Sequence, residues 1–196
     1  MKRFSGLLSI LAIVGLLFAG CQSVEKKRKT LFVIMDGVPA DNIERLHPST
    51  VFEIGDQGHY SRGYCGGKVG QYSQTPTISA VGYNNILTGT WVHKHNVHHN
   101  ENQRPNYNYW SIFRIAKEQK DVTTAIYSSW TDNRTMLLGE GKPETGNLKI
   151  DYVFDGYDLD YQNFPKRNHD LRIYDIDSTV CERAADCIRT NAPDLN

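Results

Sequence analysis

Net charge is missing from this chain. Its 22 lysines and arginines balance 22 aspartates and glutamates over 196 residues. No long basic run lies beyond the N-terminus, so no nucleic-acid surface is evident and bulk electrostatics names no partner. Cysteine is scarce: of four in the chain, three lie beyond the N-terminal segment, leaving room for one disulfide and an odd thiol. Long apolar runs are absent apart from residues 7–20, which are too short for a confident membrane span. No internal repeat or low-complexity tract is present. What remains is a hydrophobic content of 39%, enough to fill the core of one ordinary domain, or of a piece of a larger one.

The N-terminus places the chain. Positive charge in "MKR", the apolar "LLSILAIVGLLFAG" and Cys21 after Ala19 and Gly20 resemble a bacterial lipoprotein signal. That resemblance implies cleavage before Cys21 and lipid on its sulfur and amino group. The remainder would then sit in the cell envelope, lipid-anchored to a membrane and facing the periplasm or the surface. The alternative is an uncleaved anchor with an incidental cysteine. Residues 1–20 are read as the signal peptide, 21–29 as a charged tether and 30–196 as the folded domain.

An exported protein can oxidise cysteines, but Cys181 and Cys187 are a poor pair. "STVCERAADCIRTN" reads as a helix with a capping-box start at Thr179 and Glu182. Six helical residues separate the two Cα atoms by about 9 Å, beyond bridging distance. If a disulfide forms, Cys65 is the better partner for one of them.

The domain reads as strand, helix, strand, helix. "TLFVIMDG" (30–37) is an apolar run of strand length ending in Asp36 and Gly37, as a buried parallel strand would before a functional loop. "PADNIERL" and "STVFEIGDQG" suit two short helices, and residues 108–120 suit a third. "VTTAIYSSW" and "IDYVFDGYD" read as strands, residues 139–147 as a loop, and the cysteine-bearing helix follows. This is the rhythm of an α/β sheet with covering helices. In such sheets ligands bind outside the carboxyl ends of the strands, where Asp36 is placed, although an Asp before Gly also simply makes turns.

The stretch "TPTISAVGYNNILTG" (75–89) carries the chemistry. Pro76 disfavours helix before it, and residues 79–87 have the spacing of a short amphipathic helix ending near Gly89. Ser79 then stands at a helix N-terminus, where backbone N–H groups and the macrodipole attract a phosphate or sulfate. A Ser or Thr there is also commonly only a cap.

A second pattern decides between them. Asp36 after an apolar strand, "PTIS" opening a helix, and "LTGTWVHKHNVHHN" after it resemble the alkaline phosphatase superfamily, in its type I phosphodiesterase/nucleotide pyrophosphatase branch. There a strand ends in a metal-binding Asp, the nucleophilic Thr or Ser follows a Pro-Thr pair by two residues, and a later Asn holds a phosphoryl oxygen. The resemblance implies a mostly parallel sheet with helices on both faces, and two divalent metal ions, zinc foremost. It assigns Ser79 as nucleophile, Asp36 and Ser79 as metal ligands and Asn100 as the phosphate-binding residue. "AVGY" stands where many members have Phe-Pro-Asn-His and "KHNV" replaces a His-Gly step, so substrate preference does not carry over. Sulfatases need Pro and Arg where this chain has Val81 and Tyr83.

The implied reaction is hydrolysis of a phosphate mono- or diester through a phosphoserine. A serine hydroxyl needs a base, a metal or both before it attacks. A metal on Asp36 and Ser79 would supply this, and a second would polarise the phosphoryl group. Asn100 would donate as charge builds on another oxygen. Of the histidines packed into 93–99, the resemblance asks for none as a metal ligand, and His95 is read as orienting the loop. The family's remaining ligands, an Asp with a His four residues on, an Asp-His pair and a late His, are not matched in residues 110–196. The expectation is therefore an N-terminal part of a longer enzyme, inactive by itself. The rivals are a sulfatase or phosphoethanolamine transferase of the same superfamily, or a non-catalytic lipoprotein binding through exposed aromatics such as Trp91, Tyr107, Tyr109, Trp110 and Trp130.

Overall fold

The computed structural model describes residues 28–101, 104–119, 122–158 and 169–196. The signal segment 1–20, Cys21 and the tether up to residue 27 lie outside the described residues. Among those described, no helix is long and apolar enough to cross a membrane.

The chain is mixed α/β around a small parallel sheet. β1 (Ala125–Ser128) and β2 (Tyr152–Asp155) pair with Ala125 opposite Tyr152 and Ser128 opposite Asp155. Alternation along β1 divides its side chains. Ile126 packs on the main apolar cluster, while Tyr127 on the other face lines a groove with Cys187 of the C-terminal helix.

Two further segments extend this pair in the same direction. Leu195 makes parallel bridges to both Thr124 and Thr30. Ala125 N–H donates to Leu195 O at 2.7 Å, Thr30 N–H to Asp194 O at 2.8 Å, and Phe32 N–H to Asn196 O at 2.7 Å. The order across the layer is therefore Thr30, Leu195, β1, β2. The Lys29 ammonium also joins here, on the carbonyls of Ala192 and Pro193.

The run 30–37 differs from its reading as a buried strand. It forms a single bridge, and Leu31 and Val33 are 61% and 64% exposed. Its composition suits burial, but it lies at the edge of the layer, hydrogen-bonded on one flank by residues 194–196. Among the described residues nothing covers these two side chains.

The expected short helices form. α1 (Ala40–Leu46) follows Pro39 and α2 (Ser49–Gln57) ends at Gly58. α3 (Ser79–Thr88) closes on Gly89, whose φ of 63° is the left-handed conformation that favours glycine. α4 (Val92–His95), which the sequence did not signal, ends at Asn96, and α5 (Ile112–Gln119) is shorter than the 108–120 segment read as helix. The core gathers around α3: Ala80, Val81 and Leu87 meet Val92, Val97, Phe113, Leu137, Leu138, Leu148 and Ile150. Leu137 and Leu138 come from a π-helical turn, Asn133–Leu138, that the sequence did not signal.

α6 (His169–Thr190) packs across both strands. It begins well before Thr179, so the capping-box pattern falls inside it. The Thr179 hydroxyl instead donates to the carbonyl of Asp175, four residues back, at 2.9 Å, the bond a helix-interior threonine makes. Cys181 and Cys187 lie together on this helix, and Cys65, Cys181 and Cys187 are all free thiols.

Candidate functional site

Three segments converge at the start of α3. Asp36 is brought by the turn that follows the Thr30–Phe32 edge, with Gly37 at φ 71° completing it. Ser79 opens α3, whose N-cap residue is the extended Ile78. Asn100 arrives from the loop beyond α4. Ser79 Oγ donates to Asp36 Oδ2 at 2.8 Å, across 43 residues of sequence. Ala80 N–H donates to Asn100 Oδ1 at 3.0 Å.

These contacts answer the capping question. No side chain of α3 caps its own N-terminus; the carbonyl of Asn100 does so from outside the helix. Ser79 directs its hydroxyl at a carboxylate. Nor is Asp36 only a turn former, because its side chain reaches another element. The pair lies on the carboxyl side of the parallel segments, where α/β sheets place ligands.

Tyr83 joins them, one helical turn after Ser79. Its ring packs against the apolar cluster, and its phenol lies near the Asp36 carboxylate and Ser79. Burial above all, then the neighbouring Asp36 carboxylate, pushes this phenol up, and the charge of Asp177 adds to that, while Ser79 acts in the opposite sense. Asp177, on α6, accepts a hydrogen bond from Ser129 just after β1. Neither residue carries a site role in the sequence reading. The i, i+4 spacing from Ser79 could have found Tyr83; no local signal could have placed Asp177.

The histidine run divides by burial. His95 is fully buried, accepts Val97 N–H at Nδ1 (3.1 Å) and faces Asn85 Oδ1 from Nε2 at 2.7 Å. The first bond leaves Nε2 as the protonated nitrogen of the neutral ring. Burial above all, with the charges of His98 and His93, lowers its pKa to about 4. His93, His98 and His99 are exposed. His95 thus ties α4 to α3 and fixes the start of the loop leading to Asn100.

The fit to a metal centre is incomplete. Zinc takes about four ligands, whereas the site offers one carboxylate, one serine hydroxyl and a neighbouring phenol. Among the described residues no group of three or more His, Cys, Asp or Glu is arranged to hold an ion. The aromatic residues named for a binding surface are not fully exposed: Trp91, Tyr107, Tyr109, Trp110 and Trp130 are all partly buried. Tyr107 donates to Met136 O at 2.6 Å, and the Arg114 guanidinium lies 4.2 Å from the Trp110 ring centre.

No protein-family model, curated protein or solved structure matches this chain.

Proposed function

We propose that the protein is a hydrolase of phosphate mono- or diesters, of the nucleotide pyrophosphatase/phosphodiesterase type, working through a covalent phosphoserine at Ser79. The observation that carries this reading is the 2.8 Å bond from Ser79 Oγ to Asp36 Oδ2 at the N-terminus of α3. A hydroxyl aimed at a carboxylate has an acceptor for its proton, which an attacking serine requires. The helix N-terminus beside it favours the negative charge of a phosphate ester.

In the first step Ser79 Oγ bonds to phosphorus as its proton passes to Asp36, and the ester oxygen departs with its electron pair. Water then attacks the phosphoserine, releasing the phosphoryl group and restoring the hydroxyl. Asn100, oriented by its carbonyl bond to Ala80 N–H, is the candidate for contact with a non-bridging oxygen. The fold assigned with this function is alkaline-phosphatase-like, a mostly parallel sheet with helices on both faces. Dependence on two divalent cations, zinc foremost, belongs to the same proposal. Asp36 and Ser79 are the donors this chain offers, and further donors are required beyond them. Lipid on Cys21 would hold the protein in the cell envelope.

The test uses a longer version of the protein that carries those further donors, assayed on nitrophenyl phosphate mono- and diesters with and without added zinc, with intact-mass measurement after an acid quench. Ser79→Ala should abolish both turnover and the transient mass gain of one phosphoryl group. Full turnover by Ser79→Ala would remove the nucleophile assignment. Faster turnover of a sulfate ester than of a phosphate ester would move the protein to the sulfatases.

A further inference from the structure

The apolar run 31–35 leaves one flank of the layer open. Thr30 and Phe32 donate their N–H groups to Asp194 O and Asn196 O, and Asn196 N–H donates to Thr30 O at 3.0 Å. Alternation turns the N–H and C=O of Leu31, and of Val33 two residues on, toward the opposite flank. Among the described residues no backbone bond meets them there, and Leu31, Val33 and Met35 are 61%, 64% and 54% exposed. α1 and α2, which follow, contain no buried residue, so neither packs over the run. Sheet edges that stay unpaired are commonly guarded by a lysine, a proline or a bulge that turns a second chain away. Residues 31–35 have no charge, proline or glycine, so this edge is suited to be paired.

The charges at the two ends of the run select what pairs with it. Arg28 and Lys29 stand before it and Asp36 after it. A second copy laid antiparallel, with Val33 opposite Val33 of the partner subunit, sets Leu31 against Met35 of the partner subunit and Thr30 against Asp36 of the partner subunit. Each basic end then meets an acidic one. A parallel copy would instead set like charges side by side, which weakens a strand pair. A lipid surface would leave the open N–H and C=O groups without partners. We propose that residues 31–35 form a self-association surface, on which two copies of this chain pair antiparallel about a two-fold axis at Val33. The contact is isologous, each copy giving the same run. It goes beyond the hydrolase reading and does not rest on it.

The experiment reads the protein mass of the full chain in detergent micelles by sedimentation equilibrium at micromolar concentration. The wild type should contain two chains. Val33→Asp and Val33→Lys each bring like charges face to face at the axis, and each should halve the protein mass. Because Val33 is exposed, the circular dichroism of both variants should match that of the wild type. Mixing the two variants in equal amounts should restore the two-chain mass, since opposite charges then face each other. A single-chain wild type, a Val33→Asp protein that stays paired, or a mixture that stays single would each overturn the proposal. So would a single-chain wild type beside a longer version of the protein that protects the Leu31 and Val33 amides from hydrogen exchange, which would give the open flank to that longer chain.

Discussion

The ring of His95 is fixed at both nitrogens, with Val97 N–H donating to Nδ1 and Asn85 Oδ1 lying 2.7 Å from Nε2. This buried pair joins α4 to α3 and holds the base of the loop that carries Asn100. Its folded-state pKa of about 4 is below the ordinary histidine value of about 6.5. Above that ordinary value the ring is neutral in both states and adds no pH dependence. As pH falls toward 4 the unfolded chain binds a proton that the folded chain does not, so stability declines by at most about 1.4 kcal/mol per pH unit. Urea midpoints measured from pH 7 to pH 4 should show this slope, and His95→Gln should flatten it. Asp151 acts in a lower window. Burial opposes its ionisation, but Thr124 N–H, the Lys117 ammonium and the Thr124 hydroxyl outweigh it and lower its pKa. Its contribution is present above the ordinary carboxylate value and fades as pH drops below about 4.

Arg134 joins the π-helical turn to the end of β2. Its Nε donates to Asp155 Oδ2 at 2.8 Å and its other arm meets Glu140 Oε2 at 2.5 Å, with the Asp155 side chain 3% exposed. Arg134→Met leaves that carboxylate buried without its cation, which costs about 3–5 kcal/mol. Denaturant unfolding should show the loss, and Arg134→Met combined with Asp155→Leu should recover much of it.

Gly67 allows the loop before α3 to close on itself. Its φ is +70°, and a Cβ there would stand 1.7 Å from Ser73 O. Gly67→Ala should therefore cost more than the roughly 1 kcal/mol that a left-handed backbone alone imposes. Proteolysis within residues 66–75 should quicken, and the wild-type and variant melting curves should separate accordingly.

Asn100 has two separable duties. Asn100→Ala removes the external cap of α3 and should lower stability by about 1 kcal/mol. Asn100→Asp keeps an acceptor for Ala80 N–H and should preserve the melting midpoint. It also places a negative charge beside a bound phosphate ester, so under the proposed function its turnover should fall by about 100-fold, the scale seen when such a donor is removed.

Legibility followed punctuation and failed where distant partners decide. α3 was readable to within a residue because Pro76 and Gly89 restrict the backbone whatever packs around them. The run 30–37 was not, since apolar composition signals a preference for burial and says nothing about which flank receives a neighbour. Thr179 misled because Thr-x-x-Glu serves a helix interior as well as a helix start. Asp36, Ser79 and Asn100 were gathered in the sequence only by a resemblance in spacing. Tyr83 was open to the i, i+4 spacing from Ser79, whereas Asp177 depends on how α6 is set beside the sheet, which no local window encodes.

The bridge of Leu195 to both Thr30 and Thr124 has a consequence for the order of assembly. Among the described residues Thr30 meets no strand of the sheet directly; it reaches the sheet through residues 194–196, so the approach to Asp36 is docked only after those residues have paired. Closing so long a loop is slow compared with forming α3. Ser79 should thus be in place before Asp36, and removing residues 194–196 should release Asp36 while leaving the helix beneath Ser79 in place.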